Sequence, residues 1–188
     1  NKGKAVYVEK PLALDMQSIT DIEESIYRSE NPKLFIGFNR RFSKSAQFIK
    51  QKLINNPANS INLRFSVPPL DSDHWTNIKE IGGGRIVGEA VHGIDLACYL
   101  FDSLPQSISA SAPVDKTNNM AKDNQVFLNI NFANGSHASL QYFSEANQIL
   151  SKERIEVHGA GSSYILEDFK MLRFLEGSQD RSKTFSTG

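Results

Sequence analysis

Cysteine is almost absent: Cys98 stands alone among 188 residues, so an internal disulfide is excluded. An excess of charge of either sign is missing too. The 21 Lys and Arg residues cancel the 21 Asp and Glu, and a formal net charge of zero leaves no field to hold DNA, RNA or an anionic membrane. No apolar run approaches the roughly 20 residues of a spanning helix, and Asn1-Lys2-Gly3-Lys4-Ala5 lacks the apolar stretch of a signal peptide. Neither an internal repeat nor a G-x-S-x-G nucleophile elbow occurs. Together these absences predict a cytoplasmic chain without nucleic-acid or membrane partners. What is present is 39% hydrophobic residues, twelve of all residues being Phe, with a mean hydropathy of -0.37 in 21.0 kDa. That composition describes a soluble globular chain long enough for one domain with a sizeable core.

The first third alternates strand and helix. Ala5 to Val8 is a short apolar run ending at Glu9-Lys10-Pro11, and Asp15 can cap a helix whose Met16, Ile19, Ile22 and Ile26 recur at three and four. Leu34 to Phe38 reads as a second strand. Ser43 then caps a helix in which Phe42, Ala46, Ile49 and Leu53 repeat, until Asn55-Asn56-Pro57 ends it. From Ile61 the period changes to two, with Ile61, Leu63, Phe65 and Val67 on one face, and residues 85 to 102 have the length and periodicity of a third helix. The remainder is mostly strand: Val126 to Phe132 and Ala138 to Tyr142 flank a hairpin signal at Asn134-Gly135. Further candidates are Ile108 to Ala112, Arg154 to His158, Ser163 to Glu167, Met171 to Leu175 and Lys183 to Ser186. Early helices and late strands predict an α+β fold, with a large, mainly antiparallel open sheet carrying helices on one face.

Several residues could carry chemistry. Lys10 lies at the carboxyl end of a strand, where open α/β sheets place ligands, and the following proline restrains its backbone. A solvated lysine before a turn is the plain alternative. In the third helix, at about 100° per residue, Val87, Ala90, Ile94, Ala97 and Phe101 share one face, while Gly88, His92, Asp95 and Tyr99 share the opposite one. Glu89, three residues before His92, is placed to pair with the imidazole and raise its pKa toward working pH. The alternative is an amphipathic helix showing these groups to water. Gly82-Gly83-Gly84 leaves the helix start open to close approach, and Asn39-Arg40-Arg41 could grip oxygens of a polyol, carboxylate or phosphate. His74-Trp75 could offer a stacking ring, although a lone Trp is more often core. His137, out of register with the apolar residues of its strand, should face solvent. No histidine and cysteine spacing resembles a metal site, since His92 with Asp95 supplies at most two ligands. Cys98 falls on the buried side of its helix and should be inert.

These motifs have a familiar order. Gly3 to Ala13, Gly37-Phe38-Asn39-Arg40-Arg41-Phe42, the segment from Gly82 to Leu96, and Arg154-Ile155-Glu156-Val157-His158-Gly159 resemble the glucose-fructose oxidoreductase, inositol dehydrogenase and MocA family. The resemblance implies an NAD(P)-dependent oxidoreductase of sugars or polyols, with an N-terminal Rossmann domain and a C-terminal domain forming the substrate side and the oligomer interface. By it, Lys10 would contact substrate and the nicotinamide end of the cofactor, together with Glu9 and Pro11. His92 would be the general base, and Asn39, Arg40, Arg41 and Asp95 would line the substrate pocket.

Two departures stand out. Gly159 and Gly161 match the opening of G-x-G-x-x-G, but Tyr164 holds the last glycine position, so the dinucleotide fingerprint is absent. Residues 1-13 then resemble the remnant of the last Rossmann strand and its linker, and residues 14-188 the substrate-binding and oligomerisation domain. A missing upstream domain of on the order of 100 residues is expected, and the isolated fragment should be inactive. The family commonly has an Asp four residues before the histidine, where this chain has Gly88, with Glu89 as the candidate replacement. The expected partners are a small-molecule substrate, the chain's own Rossmann domain, and further copies of itself joined through the open sheet face. A non-catalytic binding or assembly module that keeps the fold is the alternative, and the choice of NAD or NADP lies upstream.

Overall fold

The alternation that begins at Ile61 builds the centre of the molecule. In the computed structural model, which describes residues 4–71, 74–115 and 120–186, Ser60–Ser66 forms a strand whose Ile61, Leu63 and Phe65 point inward and are 0 to 2% exposed. In chain order the strands are β1 (Val6–Val8), β2 (Leu34–Ile36), β3 (Ser60–Ser66), β4 (Pro105–Ser111), β5 (Val114–Asp115) and β6 (Met120–Ala121). They continue with β7 (Val126–Phe132), β8 (His137–Phe143), β9 (Glu153–Gly159), β10 (Ser162–Glu167), β11 (Met171–Glu176) and β12 (Gln179–Thr184). The helices are α1 (Met16–Tyr27), α2 (Lys44–Asn55), the single turn α3 (Lys79–Gly82) and α4 (Val91–Phe101).

Eight strands form one sheet in the order β12-β11-β10-β9-β3-β8-β7-β4, antiparallel at every pairing except the parallel β3 with β8. The fold is therefore α+β, with a large and mainly antiparallel sheet. Asn134-Gly135 turns the β7–β8 hairpin as its sequence predicts, with Gly135 at φ 82. β12 runs from 179 to 184 rather than 183 to 186, because its residues are all exposed and polar and show no period to read. Gly177, at φ 58, sets its start by turning the chain back along β11.

Helices α2 and α4 lie on one face of this sheet. Ala46, Ile49 and Leu53 of α2, and Leu96, Ala97, Leu100 and Phe101 of α4, join Leu140 of β8, Ile155 of β9 and Ile130 of β7 in one cluster. Each fully buried aliphatic side chain there contributes on the order of 2 kcal/mol. Asp15 and Ser43 cap α1 and α2 as expected, accepting from the amides of Ser18 and Ala46. Phe42, read as part of the buried stripe of α2, is instead 56% exposed in a 3-10 turn over Asn39–Phe42.

The opposite sheet face is polar, carrying Asn62, Arg64, Ser139, Gln141, Arg154 and Glu156. Residues 6–36 stand apart from the large sheet, since β1 and β2 pair only with each other, in parallel, joined through α1. The domain break placed between residues 13 and 14 falls inside this crossover unit. Residues 1–3, which open the first family motif and the predicted remnant strand, and residues 187–188 at the end of the predicted second domain lie outside the described residues. Among the described residues no helix is long and apolar enough to cross a membrane, and no group of three metal-ligating side chains occurs.

Candidate active site

Four distant stretches of chain meet where the crossover unit joins the helical face of the sheet. Lys10 follows β1, and its Nζ donates to the carbonyl oxygen of Gly88 at 2.5 Å, across 78 residues of sequence. The Lys10-Pro11 peptide bond is cis. Burial holds the Lys10 ammonium below its usual pKa, against an opposing pull from the Glu89 carboxylate. Gly88 lies in a π-turn over Ile86–Ala90 that leads into α4. The single helix read from residues 85 to 102 is thus interrupted, and 100° per residue does not hold through its first turn.

Helix α4 is also buried on more than its apolar side. His92 and Asp95, placed on a solvated polar stripe, are 3% and 8% exposed, while Val87 and Ile94 are only half-buried. Gly93 allows this depth: a Cβ built on it would stand 2.1 Å from Leu140 Cδ1. Helix α4 therefore sits against β8 along its glycine side, with His92 drawn under the 3-10 turn.

His92 is held by an arginine, not by a carboxylate. Arg40 Nη1 lies 2.9 Å from His92 Nε2 and 3.0 Å from Asn39 Oδ1, and Arg40 Nη2 donates to Glu153 Oε1 at 2.5 Å. A guanidinium only donates, so Nε2 accepts and the neutral imidazole carries its proton on Nδ1. Nδ1 is buried without a hydrogen-bond partner among the described residues, as is Glu153 Oε2. Burial first, and then the charges of Arg40, Lys10 and Lys152, push the imidazole down to about 3. The expected pairing of Glu89 with His92, and the raised pKa it was to cause, are both overturned. Glu89 faces Lys152 instead, at 3.5 Å.

Arg41 and Asp95 are brought together, but with each other. Arg41 Nε and Nη2 donate to the two Asp95 oxygens at 2.7 and 2.5 Å, tying the 3-10 turn to α4. Both Asp95 oxygens are thereby engaged by Arg41, which ties the turn carrying Arg40 to the helix carrying His92. Glu9 accepts from the Tyr7 hydroxyl at 3.0 Å and lies over Gly37, where a Cβ would come within 2.8 Å of both. Trp75, read either as a stacking ring or as a core residue, is 58% exposed and stacks on His74 with ring centroids 6.0 Å apart. His137 is exposed, as its register predicts.

Glu153 was not singled out from the sequence. Its signal was legible nonetheless, because Glu153, Ile155 and Val157 share one phase of β9, and a carboxylate in the inward phase of a strand must find a buried partner. Gly159 and Gly161, which open like a phosphate-binding fingerprint, flank the β9–β10 hairpin turn, with Ala160 at φ 48 and Gly161 at φ 73.

A mixed, mainly antiparallel sheet with helices on one face thus brings a lysine after a crossover strand to the same corner as a buried histidine at a helix start. The family model of the GFO/IDH/MocA C-terminal domain matches residues 55–165, and the chain belongs to that family. Among curated relatives, inositol 2-dehydrogenase of Rhizobium meliloti is 28% identical over 175 residues, which is 88% of this chain and 51% of the relative. The chain thus spans about half the length of that relative. Solved structures with the same fold include the aldose-aldose oxidoreductase of Caulobacter crescentus complexed with glycerol, at 18% identity and a TM-score of 0.81 over 99% of this chain and 57% of that one. Levoglucosan dehydrogenase in complex with NADH matches at 22% identity and a TM-score of 0.78, over 99% of this chain and 55% of that one.

Proposed function

We propose that this chain is the substrate-binding half of an NAD(P)-dependent oxidoreductase that interconverts an alcohol and a ketone on a sugar or polyol. The observation that carries this reading is the Lys10–Gly88 hydrogen bond, which brings an ammonium and the π-turn before His92 to one corner. The relatives that are inositol and sugar dehydrogenases support it.

The residues present fit the reactive end of a nicotinamide cofactor, because Lys10 offers a half-buried ammonium next to a neutral imidazole at the end of a crossover strand. Lys10 and Pro11, with Glu9 beside them, would hold that end. The cofactor supplies or accepts the hydride, and this chain supplies the proton path. In reduction, the Lys10 ammonium hydrogen-bonds the substrate oxygen and is the nearest proton source. In oxidation, His92 takes the hydroxyl proton at Nε2 only after Arg40 has left that lone pair. Arg40 and Asn39 then turn to the substrate, while Asp95 keeps Arg41 in place.

An upstream Rossmann domain is the proposed partner. Support comes from α1, where no residue is buried although Ile19, Ile22 and Ile26 share a side, and from a cleft of about 1050 Å³ between β1, α1 and β2. We further propose that residues 1–188 alone are inactive, that the intact protein works in the cytoplasm, and that copies associate through the open sheet face.

The test is nicotinamide reduction by the native gene product with sugars and polyols. Turnover that Lys10→Ala and His92→Ala abolish, with unchanged oligomer mass, supports the reading. A second reading, a binding or assembly module, is favoured by Gly88 in the Asp position and by Arg40 occupying Nε2. Insensitivity to both substitutions would select it.

A further inference from the structure

A cleft of about 580 Å³ opens beside the site and shares Arg40, Asn39 and Lys152 with it. Once internal ion pairs are removed, two lysines stand against one carboxylate and the cleft is positive on balance. Two carboxylates line it: Glu153 is paired with Arg40, while Asp168, whose Oδ1 accepts from the backbone N–H of Glu153 at 2.8 Å, keeps its negative charge. Lys152 shares Glu89 at 3.5 Å. Lys44 and Lys170 line the cleft with exposed side chains and no carboxylate partner among the described residues. Phe42, Phe169 and Phe185 supply apolar walls.

The wall that carries Lys170 is built, not incidental. Asp168 and Phe169 form the β10–β11 turn at φ 49 and φ 58, the left-handed region that an aromatic residue rarely adopts. Lys170 N–H to Glu167 O at 2.9 Å closes the turn, and three further bonds tie it down: Asp168 N–H to Glu153 O at 2.8 Å, the reciprocal Glu153 N–H to Asp168 Oδ1, and Ser45 Oγ to Phe169 O at 3.0 Å. Thus the residue that grips Arg40 at the site, Glu153, also fixes the turn that presents Phe169 and Lys170 to the cleft.

We infer that the cleft receives the anionic end of the substrate, so that the substrate is an acidic sugar bearing a carboxylate or phosphate. This rests on the dehydrogenase reading. A sugar whose reacting hydroxyl lies at Lys10 and His92 would extend past Arg40 into the cleft, its C–H face on the phenylalanines and its charged group between Lys44 and Lys170. A charge-assisted hydrogen bond is about twice as strong as a neutral one, so the excess of ammonium groups over the Asp168 carboxylate favours an anion over its neutral analogue.

The test is calorimetric titration of the 188-residue chain with D-glucuronate, D-glucose 6-phosphate, D-glucose and inorganic phosphate, with amide chemical shifts read at Lys44 and Lys170. At least one acidic sugar should bind about tenfold or more tightly than D-glucose, and Lys44→Gln with Lys170→Gln should remove that preference. Preference for glucuronate assigns the group to a carboxylate, and preference for the 6-phosphate to a phosphate ester. Equal binding of acidic and neutral sugars overturns the acidic-substrate inference and leaves the dehydrogenase reading standing. Inorganic phosphate shifting the two lysines, with no sugar bound, keeps the anion site and counts against the dehydrogenase reading. No response to any of the four probes overturns the acidic-substrate inference and leaves the dehydrogenase reading to the turnover test on the native gene product.

Discussion

His92 enters the fold as a neutral base wrapped in positive charge. Because Arg40 both donates into its Nε2 lone pair and repels a second proton, Arg40→Met should move its titration upward from about 3 toward 6.5. Imidazole nitrogen spectra across pH measure this. An unchanged titration would show that burial alone sets the value. The same displacement makes the residue a source of acid sensitivity. Between about 6.5 and about 3 the unfolded chain binds a proton at position 92 that the folded chain refuses. Stability is therefore full above the upper value and declines as pH falls toward the lower one, by on the order of a few kcal/mol. Thermal melts of the wild-type chain and His92→Gln over that range should diverge, the variant losing less. At this scale the sequence showed which groups could titrate, but not which neighbour each would have. Glu89 sits three residues from His92 and pairs elsewhere, whereas Arg40 sits 52 residues away and touches it.

Among the elements, α4 and the π-turn before it decide the site. Gly93 removes the side chain that would keep the helix off β8, so Gly93→Ala forces a methyl group against Leu140 and Phe65, both buried. Overpacking of this kind costs about 1 to 3 kcal/mol. Denaturant unfolding should show a lower midpoint with an unchanged slope, and the displaced helix should weaken the Arg40 contact to His92. The caps, the hairpin and the inward phase of β3 and β8 were legible because each depends on residues close in sequence. The π-turn was not. Its extra residue per turn depends on how Gly82, Gly88 and Lys10 meet in space, and a Cβ at Gly88 would lie 3.2 Å from the Gly82 carbonyl oxygen.

For the whole molecule, the open sheet face is the surface through which association is expected, and its chemistry is polar. Arg154 bonds to Glu156 and Glu167 along it, and Arg64 to Ser151. Self-association through such a face should weaken with salt, because its charged pairs are solvent-exposed. Light scattering at rising concentration and ionic strength checks this, and a strict monomer at high concentration would overturn the sheet-mediated assembly. The crossover unit over residues 6–36 presents a second, more apolar surface around α1, so the two surfaces should respond to salt in opposite ways.

By itself, the sequence determined the α+β class, most element positions and the short motifs that carry the family, because periodicity, caps and turn residues act over a few neighbouring residues. Lys10, Arg40 and His92 could be named from it. Only the tertiary structure decided that Arg40 takes the imidazole, that Glu153 takes Arg40, and that Asp95 is spent on Arg41. Those pairings join residues 52 to 113 positions apart, and buried charges select partners by proximity in space and by the need to satisfy every donor in a medium that screens poorly.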